Sequence, residues 1–141
     1  MNQDMQNART KLASGQFTCV LCRDDHTITS TARGVRPLVE LLETGTLSGY
    51  SAADKVVGKA TAFLYVLLKV RAVYAPVMSH PAIGVLDRYG IEASYDTATD
   101  RIFNRDRSGF CPMETAVRDI ETPESARDAV LAALKTGIHR T

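Results

Sequence analysis

Cys111 is the residue with the clearest potential for chemistry, because of the residues around it. Pro112 and Glu114 follow it, which predicts that Cys111 is the N-cap of a helix with proline at the first position and glutamate at the third. A thiol there lies at the positive end of the helix dipole, which lowers its pKa and increases its reactivity. Arg105 and Arg107 come shortly before it. Cys111 is therefore a candidate nucleophile or redox thiol, with a packed, unreactive cysteine as the alternative.

A second pair of cysteines, Cys19 and Cys22, has the C-x-x-C spacing that is found in zinc and redox sites. The surrounding residues 17–31 are rich in strand formers and are divided by the polar residues 24–26, a pattern that predicts a β-hairpin. Residues three apart in a strand point to opposite faces, so the two sulfurs would diverge. We expect buried or half-buried thiols without a metal or a disulfide.

Asp54, Lys55 and Lys59 form a charged cluster at the start of an otherwise apolar stretch. Apolar residues recur at helical spacing over residues 51–70, which predicts one long helix, buried except at its N-terminal end. Two lysines four positions apart repel each other unless an anion or a carboxylate lies between them. Gly58 in the helix interior would permit close approach of a ligand or another backbone. A solvated first turn and a helix-packing glycine are the alternative.

Two further candidate sites follow predicted strands. Ser79 and His80 begin a predicted helix, where His80 is either a general base or a capping residue. Asn104 precedes Arg105 in the segment that leads to Cys111. The three histidines are far apart in sequence and no H-x-E or P-C-x-x-C motif is present, so we expect no metal site. No cofactor is expected.

The composition limits the function classes. Of 141 residues, 17 are Lys or Arg and 16 are Asp or Glu, which gives a formal charge of +1. A near-neutral chain argues against binding to a nucleic-acid polymer or to an anionic membrane. Its 45% apolar and 23% charged residues are typical of a globular protein. With no apolar run of the ~20 residues that a membrane helix needs and no signal-peptide pattern, we expect a cytoplasmic protein of one domain.

The predicted elements give the fold class. A first helix within residues 4–12 precedes the hairpin, and a second helix covers residues 38–43 up to Gly45. After the helix at residues 51–70 come a strand at 72–77, a helix at 80–89, strands at 91–95 and 101–104, and helices at 112–119 and 123–135. This order predicts an α/β fold with a mixed sheet of about five strands and helices on both faces. Ligands of open α/β sheets bind at the carboxyl ends of the strands.

Three blocks of the sequence resemble a small bacterial family of unknown function with a cytidine-deaminase-like fold. They are G-V-R-P-L at residues 34–38, A-D-K-V-V-G-K-A at 53–60, and G-F-C-P-M-E at 109–114. The resemblance covers residues 17–117 and implies a three-layer α/β/α fold. It implies that the helices at about 1–15 and about 122–137 are additions to this core.

Zinc deaminases carry H-x-E at the start of one helix and P-C-x-x-C at the start of the next. If the helices correspond, Asp54 and Lys55 stand in place of the first motif, and Ser79 to Ala82 in place of the second. With both zinc motifs missing, hydrolytic deamination by activated water is not expected.

We therefore expect a zinc-free, deaminase-fold protein that binds a small anionic metabolite or a nucleotide between the helix starts. In this hypothesis Lys55 neutralises the anion, Asp54 and Asn104 form hydrogen bonds, and Arg105 makes a bidentate contact. The residues expected to bind the ligand are Asp54, Lys55, Lys59, Ser79, Asn104, Arg105 and Glu114. One alternative is an enzyme that depends on Cys111, with Lys55 or His80 as proton carrier. The other is a non-enzymatic regulatory or interaction module, in which the charged clusters hold a partner or a homo-oligomer together.

Overall fold

The computed structural model describes residues 2–32, 34–100 and 112–135. Its elements in chain order are α1 (Gln3–Ala13), β1 (Cys19–Arg23), β2 (His26–Ser30), α2 (Arg36–Thr44), β3 (Ser51–Asp54), β4 (Val56–Val57), α3 (Lys59–Leu68), β5 (Ala72–Ser79), α4 (His80–Arg88), β6 (Glu92–Thr99), α5 (Pro112–Val117) and α6 (Pro123–Lys135). The predicted strand at residues 101–104 lies outside the described residues.

One mixed sheet connects all six strands. The hairpin of β1 and β2 is antiparallel, and β1 also pairs antiparallel with β3. β3 and β4 run parallel to β5, and β6 pairs parallel with β5. Because helices lie on both sides, the described chain has the predicted α/β class.

Pro76 explains why the middle of the sheet is interrupted. β3 and β4 keep the same register against β5, with Ala53 opposite Tyr74 and Val56 opposite Val77. The pairing of β5 with β6 also skips Pro76. Proline has no backbone N–H to donate to a neighbouring strand. β3 and β4 therefore lie one after the other along the same edge of β5, as two segments of one interrupted strand. The interruption lies at Asp54 and Lys55.

The two faces of the sheet carry separate apolar clusters. On one face α1 contributes Met5, Ala8 and Leu12, which pack with residues of β1, β3 and β5. On the other face the larger cluster includes residues of α2 to α6. Cys19 belongs to the larger cluster and Cys22 to the α1 cluster. The prediction that the two thiols lie on opposite faces is confirmed.

The prediction of one helix over residues 51–70 is wrong. Ser51–Asp54 is a strand because β1 and β5 pair with it on its two edges, and the helix begins only at Lys59. Lys55 and Lys59 are therefore not neighbours on one helix, and Gly58 is the residue before the helix rather than within it. Alanine-rich apolar residues fit a helix stripe and a buried strand equally well, and pairing with distant strands decides between them.

α3 is nevertheless buried on most sides, as predicted. It packs against α2, α4, α5 and α6, and Phe63, Leu64 and Tyr65 have no exposed surface. α6 covers it with Ala126, Val130 and other apolar residues. None of the helices among the described residues has the length and apolar character needed to cross a bilayer.

Candidate functional site

The carboxyl ends of the parallel strands place several predicted site residues on one edge of the sheet. Asp54 ends β3, and Ser79 ends β5 and directly precedes α4. Lys59 begins α3 just after β4. This edge is where open α/β sheets bind ligands.

Asp54 lies opposite Cys19, where β1 begins, and at the point where the pairing of β3 with β5 is interrupted. It is half-buried, and its Oδ2 accepts a hydrogen bond of 2.7 Å from the hydroxyl of Tyr65. Burial raises the pKa of Asp54 to about 6, although the Tyr65 hydroxyl and the backbone N–H groups of Lys55 and Val56 act in the opposite direction. This carboxylate is thus ionised at neutral pH but changes its charge in mildly acidic solution.

Tyr65 connects Asp54 to a buried thiol. Its hydroxyl oxygen lies 3.4 Å from the Sγ of Cys19, and both residues have at most 5% of their surface exposed. Burial is the largest cause that raises the pKa values of Tyr65 and Cys19, with the charge of Asp54 as the second. Both groups therefore stay protonated and neutral, so Cys19 has none of the thiolate character that a nucleophile needs.

The N-terminus of α3 is occupied by the carboxylate of Glu114. Its two oxygens accept hydrogen bonds from the backbone N–H of Lys59 at 2.7 Å and of Ala60 at 2.9 Å. The first N–H groups of a helix have no partner within the helix and bind anions readily. Glu114 supplies that anion from α5. Burial raises its pKa, against the effect of the two N–H groups and of the Lys59 charge.

Gly58 makes room for this carboxylate. A Cβ atom built at Gly58 would overlap the carboxyl group of Glu114. The sequence interpretation that Gly58 permits a close approach is therefore correct, but the group that approaches is a glutamate side chain of the same chain.

Lys59 turns toward α5 and α6 rather than toward the edge of the sheet. Its Nζ donates to the backbone oxygen of Arg118 at 3.0 Å and to Glu121 Oε2 at 3.2 Å. Arg88 of α4 donates to Glu121 Oε1 at 3.2 Å and to the backbone oxygen of Glu121 at 3.1 Å. These contacts fix the connection between α5 and α6 against α3 and α4.

Lys55 and Ser79 occupy very different surroundings. Lys55 is exposed, and its backbone N–H donates to the carbonyl of Thr18. Ser79 is fully buried, and its hydroxyl accepts a hydrogen bond from the backbone N–H of Ala82, which caps α4. His80 is the first residue of α4 and lies 3.6 Å from the carboxylate of Asp100, with both side chains largely exposed.

The structure thus brings Asp54, Lys55, Lys59, Ser79 and Glu114 to one end of the molecule. Asn104, Arg105, Arg107 and Cys111 lie outside the described residues. Within the described ranges, no group of three or more His, Cys, Asp or Glu side chains is arranged to hold a metal ion.

Sequence reasoning missed Tyr65, which contacts Asp54 from the middle of α3. Its neighbours Leu64 and Val66 are apolar, so the hydroxyl is the only side-chain hydrogen-bonding group in that part of the helix. A tyrosine in an otherwise apolar helix needs a partner for its hydroxyl when it is buried. That signal pointed to a polar group on the facing strand.

Comparison with known proteins places this architecture in a family. The sequence profile described as "Domain of unknown function (DUF1893)" matches residues 7–133 of the chain. The chain belongs to the DUF1893 family. A crystal structure of the DUF1893 family protein TM1506 from Thermotoga maritima has the same fold, with a TM-score of 0.84 and 27% sequence identity. The match covers 94% of this chain and 91% of that one.

DUF1893 membership gives a fold and no reaction. No curated protein matches the sequence. The match to the DUF1893 profile includes most of α1 and α6 as well as the sheet.

Proposed function

We propose that this DUF1893 domain has a cytidine-deaminase-like fold without catalytic zinc and binds a small anionic metabolite, such as a nucleotide, at the carboxyl edge of its sheet. Asp54 accepts hydrogen bonds from N–H or O–H groups of the ligand, and Lys55 neutralises its anionic group. The observation that carries the proposal is the half-buried carboxylate of Asp54 at the end of β3.

Asp54 supports a binding role because its charge destabilises the folded protein. Its pKa is raised from 3.8 to about 6, which corresponds to up to about 3 kcal/mol against the ionised form in the folded state. An asparagine would accept the same hydrogen bond from Tyr65 without that penalty. Groups with strongly shifted pKa values are frequent in functional sites.

Lys55 is the group best placed for the anionic part of the ligand. The amides of Lys59 and Ala60 already bind Glu114, and the ammonium group of Lys59 is bound to Arg118 and Glu121. Among the described lysines of this edge, Lys55 is the exposed one. A carboxylate can accept several hydrogen bonds, so Asp54 can keep its bond to Tyr65 while it binds a ligand.

The proposed deaminase-like fold is supported by the order of the elements. An antiparallel hairpin is followed by parallel strands, and α3 and α4 begin at the ends of the neighbouring strands β4 and β5. The start of α3 at Lys59 moves the position that corresponds to H-x-E from Asp54 to residues 57–59. Residues 57–59 lack the H-x-E motif, and residues 78–82 lack the cysteine pair of P-C-x-x-C.

Thermal unfolding in the presence of candidate ligands tests the proposal. The panel contains nucleoside mono-, di- and triphosphates, sugar phosphates and inorganic phosphate, at neutral pH and low ionic strength. At least one class should raise the Tm of the wild-type protein. Lys55→Ala and Asp54→Asn should each weaken binding of that ligand by roughly tenfold, as expected for the loss of one charged contact.

Arg71→Ala is the matched control, because Arg71 is exposed and lies just before β5, at the opposite edge of the sheet. It removes the same charge and should leave ligand affinity unchanged. If no compound raises the Tm, or if Arg71→Ala weakens binding as much as Lys55→Ala, the proposed site is wrong. Metal analysis of the same preparation provides a second check, since stoichiometric zinc would contradict the zinc-free fold.

A further inference from the structure

Three polar groups form a continuous chain inside the larger apolar cluster. Asp54 Oδ2 lies 2.7 Å from the hydroxyl oxygen of Tyr65, and that oxygen lies 3.4 Å from Cys19 Sγ. Asp54 is half-buried at the edge of the sheet, whereas Tyr65 has no exposed surface and Cys19 has 5%. The chain therefore leads from a group near solvent to a thiol in the core.

The direction of the two hydrogen bonds depends on the charge of Asp54. An ionised carboxylate only accepts, so the Tyr65 hydroxyl must donate to Asp54. The Tyr65 oxygen is then free to accept the S–H of Cys19. In this state both hydrogen bonds point from the thiol toward the carboxylate.

A protonated Asp54 has a proton of its own to donate. The nearest acceptor for a proton on Oδ2 is the Tyr65 oxygen, and the Tyr65 hydroxyl can rotate toward Cys19 Sγ, since either atom of that contact can be the donor. Burial raises the pKa values of Tyr65 and Cys19, so both keep their protons. Only Asp54, with a pKa of about 6, changes its charge near neutral pH.

We propose that uptake of one proton by Asp54 reverses both hydrogen bonds, so that Asp54, Tyr65 and Cys19 act as a relay between the edge of the sheet and the core. The added proton comes from solvent and stays on Oδ2. The Tyr65 proton remains on its oxygen and turns toward Cys19, and the Cys19 S–H loses Tyr65 as its acceptor. No covalent bond other than the new O–H is made or broken.

The groups that face Asp54 come from three elements. Tyr65 approaches from α3 and Cys19 from β1, and the backbone N–H groups of Lys55 and Val56 approach from its own strand position. Tyr65 and the two backbone groups favour the ionised carboxylate, and burial opposes it. The relay needs no ligand, so it stands independently of the proposed binding function.

The S–H stretching band in the infrared spectrum tests this relay, because its frequency falls when the thiol donates a hydrogen bond. The Cys19 band is identified by its absence in Cys19→Ala. It should shift to higher frequency as the pH is lowered through about 6, the pKa of Asp54. Cys22 is the internal control, since it lies on the other face of the sheet near Thr27, and its band should not move.

Two variants test whether the response of the Cys19 thiol depends on Asp54 and on Tyr65. In Asp54→Asn the Cys19 band should be independent of pH, and in Tyr65→Phe it should stop responding although Asp54 still titrates. A Cys19 band that stays constant in the wild-type protein, or that still shifts in either variant, would overturn the relay. If Tyr65→Phe does not fold, the wild-type titration and Asp54→Asn together still decide. A shift of the band without any ligand that raises the Tm would support the relay and contradict only the binding site.

Discussion

The two helices that follow neighbouring parallel strands, α3 and α4, are capped in opposite ways. α4 begins after Ser79, whose neutral hydroxyl accepts the N–H of Ala82 three residues later. α3 begins after Gly58, which has no side chain, and its N–H groups bind the carboxylate of Glu114 from α5. One cap is local and uncharged, and the other comes from a distant part of the chain and is charged.

The two caps should respond differently to pH and to the position of the other helices. The cap of α4 depends on residues within one turn, so it should be insensitive to pH and to the position of other helices. The cap of α3 links the helix to α5 through Glu114, and Asp54 contacts the same helix at Tyr65. Both acidic groups have raised pKa values. We therefore expect the α3 end to be the pH-dependent and conformationally coupled part of the site.

The largest effect is expected from removal of the distant cap. Glu114→Ala leaves the buried N–H groups of Lys59 and Ala60 without their partner, and it detaches α5 from α3. We expect a loss of about 3 kcal/mol in the free energy of unfolding at neutral pH, since buried, charge-assisted hydrogen bonds contribute about 1.5–3 kcal/mol each and part of this is offset by hydration. Urea denaturation measures it. A loss as small as that of a surface substitution would show that Glu114 is not the cap.

The second prediction concerns how the free energy of unfolding depends on pH, which should differ between the α3 end and the α4 end. Because the pKa of Asp54 is raised from 3.8 to about 6, the folded protein binds this proton more tightly than the unfolded chain does. The contribution of Asp54 to the free energy of unfolding is therefore fully present below pH 3.8. It falls by up to about 3 kcal/mol as the pH rises to about 6.

Asp54→Asn should remove this part of the decline, so its free energy of unfolding exceeds that of the wild-type protein above pH 6. Denaturant titrations at several pH values measure both curves. Ser79→Ala provides the contrast, because a neutral cap should shift the curve by a constant amount. Parallel curves for wild-type and Asp54→Asn would contradict the raised pKa.

A smaller effect is expected from a substitution that fills the space beside the start of α3. Gly58→Ala places a methyl group where the Glu114 carboxyl lies, and we expect a loss of about 2 kcal/mol from this overpacking. The loss should nearly disappear in a Glu114→Ala background, because the two residues compete for one volume. Gly84→Ala in α4 is the matched control, since a Cβ there meets nothing within 4 Å, and it should be neutral or stabilising. Equal losses in both backgrounds would contradict the contact.

The smallest of these effects is expected at the local cap. Ser79→Ala should lower the free energy of unfolding by about 1 kcal/mol, the usual contribution of a serine N-cap. Thermal or urea unfolding checks the value. A loss equal to that of Glu114→Ala would remove the distinction between the two ends.

The local features of this fold could be predicted from the sequence. The polar residues 24–26 between two strand-forming runs predicted the hairpin of β1 and β2, and both strands are present. The helix predicted at residues 123–135 is α6, and the Thr122 hydroxyl before it accepts the N–H of Ser125. These signals lie within a few residues of the structure that they specify.

The features that depend on distant residues could not be predicted. Ser51–Asp54 is a strand because of its pairing with β1 and β5, and nothing in its own composition distinguishes it from a helix. Glu114 was predicted to be the third residue of its own helix and a ligand-binding residue, but its carboxylate binds the N-terminus of α3. The site at Asp54 depends in the same way on Tyr65, which lies eleven residues later in the chain.

A pH titration of the backbone amide signals of Lys59 and Ala60 by two-dimensional NMR tests whether Glu114 caps α3. If Glu114 caps α3, both signals should move with one common midpoint above the ordinary pKa of a glutamate, since burial raises that pKa, and Glu114→Gln should abolish the movement. The amide of Ala82, which is bound to the neutral Ser79 hydroxyl, should not move over the same range. Signals of Lys59 and Ala60 that do not titrate, or that titrate unchanged in Glu114→Gln, would show that Glu114 does not cap α3.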